Sequence, residues 1–281
     1  NQILGIGSTG VGSFNFLNGN TDDVRIYNRE LSAGEIKSLY NQGVSKFNKT
    51  PTNILTSDLV GHWTFDGKDV VNGVALDRSG NGNSGNLINI ATSTFYSIGK
   101  IGQGFNFDGV NDYVNIGNPA SLQITGSLTL SAWIYLNDYS QIRNRIIGKV
   151  PNAAGQKSYE LSLDDNAGPN YNNLSILVSS NGTAMIYAYD ENPFPLTAWT
   201  LATVVYDASA QTLAVYKNGV LISSTLVGTV PASIFNGTGN VTIGQRSGAS
   251  STYFDGKIDD ARIYNRALSA GEVKMLYNMG R

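Results

Sequence analysis

The segment DDVRIYNRELSAGEIKSLYNQG, residues 22–43, returns as DDARIYNRALSAGEVKMLYNMG at residues 259–280, with 17 of 22 positions identical and a constant offset of 237. Self-similarity at a long fixed spacing marks tandem modules. A weaker echo lies upstream, where Leu4, Ile6 and Gly7 fall on Val241, Ile243 and Gly244. Little precedes the first copy, while more than two hundred residues precede the second. The chain therefore reads as the closing piece of one module at 1–44, a linker at 45–58 and a whole module at 59–281. On this reading the N-terminus is a cut end.

Each copy is built alike. VRIYN and ARIYN alternate as strands. Ser32 with Glu35, and Ser269 with Glu272, then have the spacing of a capping box, in which the hydroxyl takes the amide three residues on and the carboxylate returns to the cap amide. Ile36, Leu39 and Tyr40 follow at helical spacing, as do Val273, Leu276 and Tyr277, and Gly43 or Gly280 ends the turn.

Between the copies the pattern is that of short strands. Alternating or apolar runs fall at 104–108, 112–116, 128–136, 145–149, 158–164, 174–179, 184–189, 200–206, 212–217, 220–227 and 240–244. Asn181-Gly182 and Asn218-Gly219 suit type I′ hairpin turns. The 32 glycines, 15 tyrosines and 14% charged residues fit many strands with tight turns and argue against a helical bundle or disorder. An all-β, two-sheet antiparallel sandwich with a short C-terminal helix follows, preceded by a partial module of two strands and a helix. With no cysteine, disulfides and thiolate chemistry are excluded. A net charge of −2 without a basic run gives no footprint for nucleic acid or an anionic membrane. No apolar run approaches the ~20 residues of a membrane span.

Seven landmarks carry a family resemblance: GHWTFDG at 61–67, DRSGNGNSGNL at 77–87, GKIGQGFNFDGVNDYVNIG at 99–117, SLTLSAWIYL at 127–136, TAWTLATVVYD at 197–207, VYKNGVLI at 215–222 and FDGKIDDARIYNRALSAGEV at 254–273. In this order they resemble the laminin-G-like, concanavalin A-like jelly-roll superfamily, over residue 59 to the C-terminus. The resemblance implies a jelly-roll sandwich. It leaves the ligand open, because the superfamily includes lectins, adhesion modules, hydrolases and spacers. It also implies a structural calcium where the first strand, the following Gly/Asn loop and the last strand meet. Asp66, Asp77, Asn81, Asp259 and Asp260 are the oxygen donors there, and hard oxygen ligands suit Ca²⁺. The alternative is that these acids cap turns and that one of Asp259 and Asp260 pairs with Arg262. Asp108, Asn111 and Asp112 read as a turn bonded to its own backbone.

For a sugar, Tyr187 and Tyr189 share one strand face, and Tyr139, Tyr159, Tyr171 and Arg143 lie on neighbouring segments, beside Asn144 and Asn172. Rings beside amides can stack on and hydrogen-bond a pyranose; the same rings can also fill a core with their hydroxyls at its edge. For catalysis, Glu160 and Asp164 stand roughly 13 Å apart along an extended strand, at ~3.3 Å per residue. The hydrolase signature Glu-x-Asp-x-x-Glu is absent, since Ser162 stands at its second acid. His62, the single histidine, belongs to no motif.

These readings combine into a non-enzymatic adhesion or carbohydrate-binding module of an extracellular, multi-domain bacterial surface protein or filament. Its partners would be a glycan or surface polymer, together with another copy of the chain or an upstream module that completes residues 1–44. A structural spacer or polymerising repeat that donates strands, and a glycoside hydrolase, are the alternatives.

Overall fold

The strands of residues 59–264 alternate apolar and polar side chains, so each must bury one face, and two stacked sheets do this at once. A computed structural model describes residues 24–33, 35–36, 55–90, 96–140, 144–164, 172–248 and 252–280. It divides into two units, Asn1–Thr50 and Pro51–Arg281. In the first unit the expected capping box forms: the Glu35 amide donates to Ser32 Oγ at 3.3 Å and the Ser32 amide to Glu35 Oε2 at 2.9 Å.

The second unit holds two antiparallel sheets. The eight-stranded sheet runs β15 (Val220–Leu221), β14 (Thr212–Lys217), β13 (Thr200–Asp207), β8 (Leu128–Leu136), β18 (Asp255–Tyr264), β6 (Gln103–Asp108), β5 (Tyr96–Ile98), and β1 (Leu59–Trp63) also pairs with β18. The ten-stranded sheet runs β16 (Ser224–Val227), β12 (Ile186–Asp190), β11 (Asn173–Val178), β10 (Tyr159–Asp164), β9 (Asn144–Gly148), β17 (Val241–Ile243), β7 (Tyr113–Gly117), β4 (Gly85–Ile88), β3 (Val74–Ala75), β2 (Val70–Val71). One helix, α1 (Ala270–Met279), follows β18 and is capped by the expected Ser269–Glu272 box. The jelly-roll expectation is met.

The main core lies between the sheets and includes Trp63, Phe105, Phe107, Leu130, Tyr159, Leu161, Ile176 and Ile263. A second, smaller core lies on the outer side of the eight-stranded sheet, where Trp133, Leu201, Tyr216 and Tyr264 meet Val273 and Leu276 of α1. Leu55 belongs to it and is 2% exposed, so packing begins upstream of β1, inside the expected linker. β18 is consequently buried on both faces. It pairs with β8 along one edge and, along the other, first with β6 and then with β1.

The expected single strand over 220–227 is instead two. β15 closes the Asn218-Gly219 turn, where both residues have positive φ, and β16 crosses to pair with β12 in the other sheet. At Asn181-Gly182 only the glycine has positive φ, and Asn181 Oδ1 accepts the amides of Thr183 and Ala184 instead. β2 to β5 carry too few alternating positions to have been expected.

Candidate functional site

On the outer face of the ten-stranded sheet, polarity and burial coincide. In β10, Tyr159, Leu161 and Leu163 point into the main core, so Glu160, Ser162 and Asp164 point outward. In β11 the inward residues are Leu174, Ile176 and Val178, which leaves Asn173, Ser175 and Leu177 outward. In β12, Ile186 and Ala188 point inward and Tyr187 and Tyr189 outward. The outward residues of β10 and β11, all but the half-buried Asp164, are nonetheless buried, with Glu160 and Ser175 each only 2% exposed. Register aligns them into two rows. Ser162, Ser175, Tyr189 and Thr225 lie opposite one another, and so do Glu160, Leu177, Tyr187 and Val227. Adjacent strands are ~4.8 Å apart, so each row reaches about 14 Å across four strands, comparable to a short oligosaccharide. The half-buried Tyr187 and Tyr189 rings stand 6.2 Å apart at 36°, next to the edge strand β16 that ends the rows.

The opposite end is ionic. Arg145 Nη1 donates to Glu160 Oε1 at 3.1 Å and to Asp164 Oδ2 at 2.7 Å. Arg246 donates to both oxygens of Glu160, Nε at 3.1 Å and Nη2 at 2.7 Å. Burial pushes the Arg246 guanidinium down, but Glu160 beside it outweighs this and raises it. Because one nitrogen bridges them, the bonded oxygens of Glu160 and Asp164 are at most about 6 Å apart. The strand estimate of 13 Å applied to the backbone; the side chains lean together over Ser162 toward Arg145. Two polar atoms in this corner are buried without partners, Arg145 Nε and Asn173 Oδ1, a donor and an acceptor. Such orphaned groups cost about 1–3 kcal/mol each unless a ligand or water meets them.

The expected sugar residues divide. Tyr187 and Tyr189 lie together on this face. Tyr159 lies on the opposite one, fully buried, its hydroxyl donating to the Leu122 carbonyl at 2.8 Å, and burial raises its pKa. The correction has a simple reason: Tyr159 alternates with Glu160 and shares parity with Leu161 and Leu163. Tyr139 packs beside the main core and donates to the Phe194 carbonyl at 2.7 Å. Arg143 and Tyr171 lie outside the described residues. Asn144 is structural, its Oδ1 accepting the Asp255 amide at 2.8 Å and its Nδ2 donating to Asn172 at 3.0 Å. Sequence reasoning missed Arg145, Ser175 and Arg246. The parity of Ser162 and Ser175 between core leucines was the available signal for the serine; no local pattern marks Arg246.

The five expected calcium donors do not converge. Asp77 accepts four bonds from its own neighbourhood: His62 N and Ser79 N at Oδ1, Ser79 Oγ and Asn83 N at Oδ2. Asn81 donates to the Leu59 carbonyl. Asp260 takes His62 Nε2 at 2.6 Å and Arg262 Nη2 at 2.9 Å, so the pairing expected for Arg262 falls on Asp260. Asp66 and Asp259 instead hold the 99–103 loop. Asp66 Oδ1 accepts the Gln103 amide at 2.9 Å, and Asp259 Oδ2 accepts those of Lys100 and Ile101, both at 2.8 Å. A side chain at Gly99 would strike Asp259 Oδ2, which explains a glycine there. Among the described residues no three His, Asp or Glu side chains gather as a ligand set. Asp259 Oδ1 is buried without a partner. These donors fit backbone amides better than a cation. The turn reading of Asp108 is met, its Oδ1 accepting the amides of Val110 and Asn111.

Several solved structures share this fold. Domain 4 of AbnA, an extracellular GH43 arabinanase from Geobacillus stearothermophilus solved with arabinotriose, matches with a TM-score of 0.58 at 22% identity, over 78% of this chain and 98% of that one. The binding domain of Paraclostridial Mosquitocidal Protein 1 matches with a TM-score of 0.59 at 20% identity, covering 80% and 53% of the two chains. The receptor-binding domain of a botulinum neurotoxin C/D mosaic matches at 0.58 and 13%, covering 80% and 52%. The chain thus spans about half the length of these toxin chains, and at such identities the likeness shows the fold. No curated protein sequence matches. The family profile Laminin_G_3 covers residues 108–274, more than half of the chain, and the protein belongs to this family of the concanavalin A-like lectin/glucanases superfamily.

Proposed function

We propose that residues 55–281 form a non-enzymatic, extracellular carbohydrate-binding module that acts in adhesion at a bacterial surface. A glycan would lie along the rows that contain Tyr187 and Tyr189. One observation carries this reading. Buried polar side chains form a floor on a sheet face that carries a tyrosine pair, and two of their atoms lack partners. A sugar supplies both things this floor lacks: hydroxyls that donate and accept, and a C–H face for the rings. The fold neighbours support it, since one was solved with arabinotriose and others are toxin binding domains. No described helix is long and apolar enough to cross a membrane.

The test is a glycan array probed with the whole chain and with Tyr187→Ala/Tyr189→Ala. Specific binding that weakens at least tenfold, about 1.4 kcal/mol, supports the reading. An array with no specific signal would favour a structural spacer.

Hydrolysis is a second reading, favoured by the closeness of Glu160 and Asp164, since retaining glycosidases hold their carboxyls ≈ 5–5.5 Å apart. Against it, both oxygens of Glu160 are occupied by guanidinium N–H donors. Release of reducing sugar from a bound polysaccharide, abolished by Glu160→Gln, would decide for the hydrolase.

A further inference from the structure

The two copies of the repeat form the same capping box in opposite surroundings. Both capping boxes form, and both carry an arginine on the box glutamate, Arg29 to Glu35 and Arg266 to Glu272, each at 2.7 Å. Burial then diverges. In the second copy Ala261, Ile263, Tyr264 and Val273 are all 0% exposed. Their counterparts at the constant offset, Val24, Ile26, Tyr27 and Ile36, are 51%, 70%, 42% and 57% exposed. Residues 24–27 also carry no strand assignment, whereas their counterparts lie in β18.

We propose that residues 24–36 are the last strand and first helical turn of a laminin-G-like sandwich other than residues 55–281, and that they dock into such a sandwich where its last-strand position is open. The second copy shows what such a position provides. Ala261 and Ile263 enter the core between the sheets, while Tyr264 and Val273 enter the core under the helix. Apolar side chains at 24 and 26 point to one face of an extended segment, and Tyr27 to the other. A groove or a membrane surface would cover one face alone. Only an interior strand position buries both and also meets the backbone N–H and C=O groups along two edges, as β8 and β1 do for β18. Residues 55–281 are not that sandwich in this structure, because β18 fills the position.

The repeat supplies its own test, since the module's position can be opened within the full chain. Ile263→Arg puts a charge into the core between the sheets and expels β18, leaving residues 24–36 free to seat in its place, in the same molecule or from a neighbour. Near-UV circular dichroism and melting are compared for Ile263→Arg, Ile26→Arg and Ile26→Arg/Ile263→Arg. The expected result is that Ile26→Arg melts like the parent, Ile263→Arg still melts cooperatively within ~10 °C of it, and the double variant does not. If Ile263→Arg does not fold alone, it is refolded with excess parent chain or excess Ile26→Arg chain. Recovery as a complex with the parent and not with Ile26→Arg supports the proposal. Equal behaviour of Ile263→Arg and the double variant, together with no Ile26-dependent recovery on mixing, overturns it.

Discussion

Asp259 and Asp260 are adjacent, both largely buried, and are driven in opposite directions. Burial pushes the Asp259 carboxyl up from its ordinary 3.8 to about 7, against the two amides it accepts. Burial works on Asp260 in the same sense, but Arg262 and His62 overcome it and hold the group at about 2. A bulge interrupts the β18–β8 register between Asp259 and Arg262, and within it Asp260 takes φ of +49° and meets His62 and Arg262, while Asp259 meets the 99–103 loop. Linkage gives the consequence. A raised carboxyl stabilises the fold fully below its unfolded value near 4, and that contribution is lost as pH rises through 7. A depressed one contributes above about 4 and is lost as pH falls through 2. Together they place the stability maximum near pH 4–5, with a decline on the order of a few kcal/mol toward pH 7.5. Asp112, raised by burial and by Asp108, acts in the same sense as Asp259. Asp259→Asn keeps an oxygen for both loop amides and removes the charge. Melting temperatures taken from pH 4 to 8 should therefore decline for the parent and stay nearly level for Asp259→Asn. A parent profile that rises across this range would contradict the assignment.

Among elements, the last strand and helix decide most. α1 covers the outer core only while its first turn is capped, so Ser269→Ala should cost about 1 kcal/mol, read as a melting shift of a few degrees. The same change at Ser32, outside the module, should leave the module's melting transition where it is. The meeting of the first strand, the 99–103 loop and β18 is held by Asp66 and Asp259 through backbone amides. EDTA should accordingly shift melting by less than a degree; a loss of several degrees would restore the calcium expectation. Elements were legible where their signals are local. The capping boxes, β8 and the Asn218-Gly219 turn follow from neighbours a few residues apart. The split of 220–227 between two sheets was not legible, because alternation says nothing about which sheet a strand joins. Nor was the pairing of His62 with Asp260, which are 198 residues apart in sequence.

At the scale of the whole molecule, two features define the protein: a sandwich whose ten-stranded sheet presents a polar face with a tyrosine pair, and a second copy of its closing sequence in which Val24, Ile26, Tyr27 and Ile36 are exposed. The first was half legible. Tyr187 and Tyr189 follow from alternation alone, and so did the error over Tyr159 once its parity with two leucines was overlooked. Arg145 and Arg246 come to Glu160 from β9 and from the segment beyond β17, a convergence set by strand order. The central claim is that the outer face of this sheet binds carbohydrate. Calorimetric titration of the best array glycan into the parent, Tyr187→Ala and Tyr113→Ala tests it most directly, because Tyr113 lies in the same sheet on β7, away from the tyrosine pair. The account predicts that Tyr187→Ala weakens binding at least tenfold while Tyr113→Ala changes it less than twofold. Equal affinity for all three proteins would contradict it.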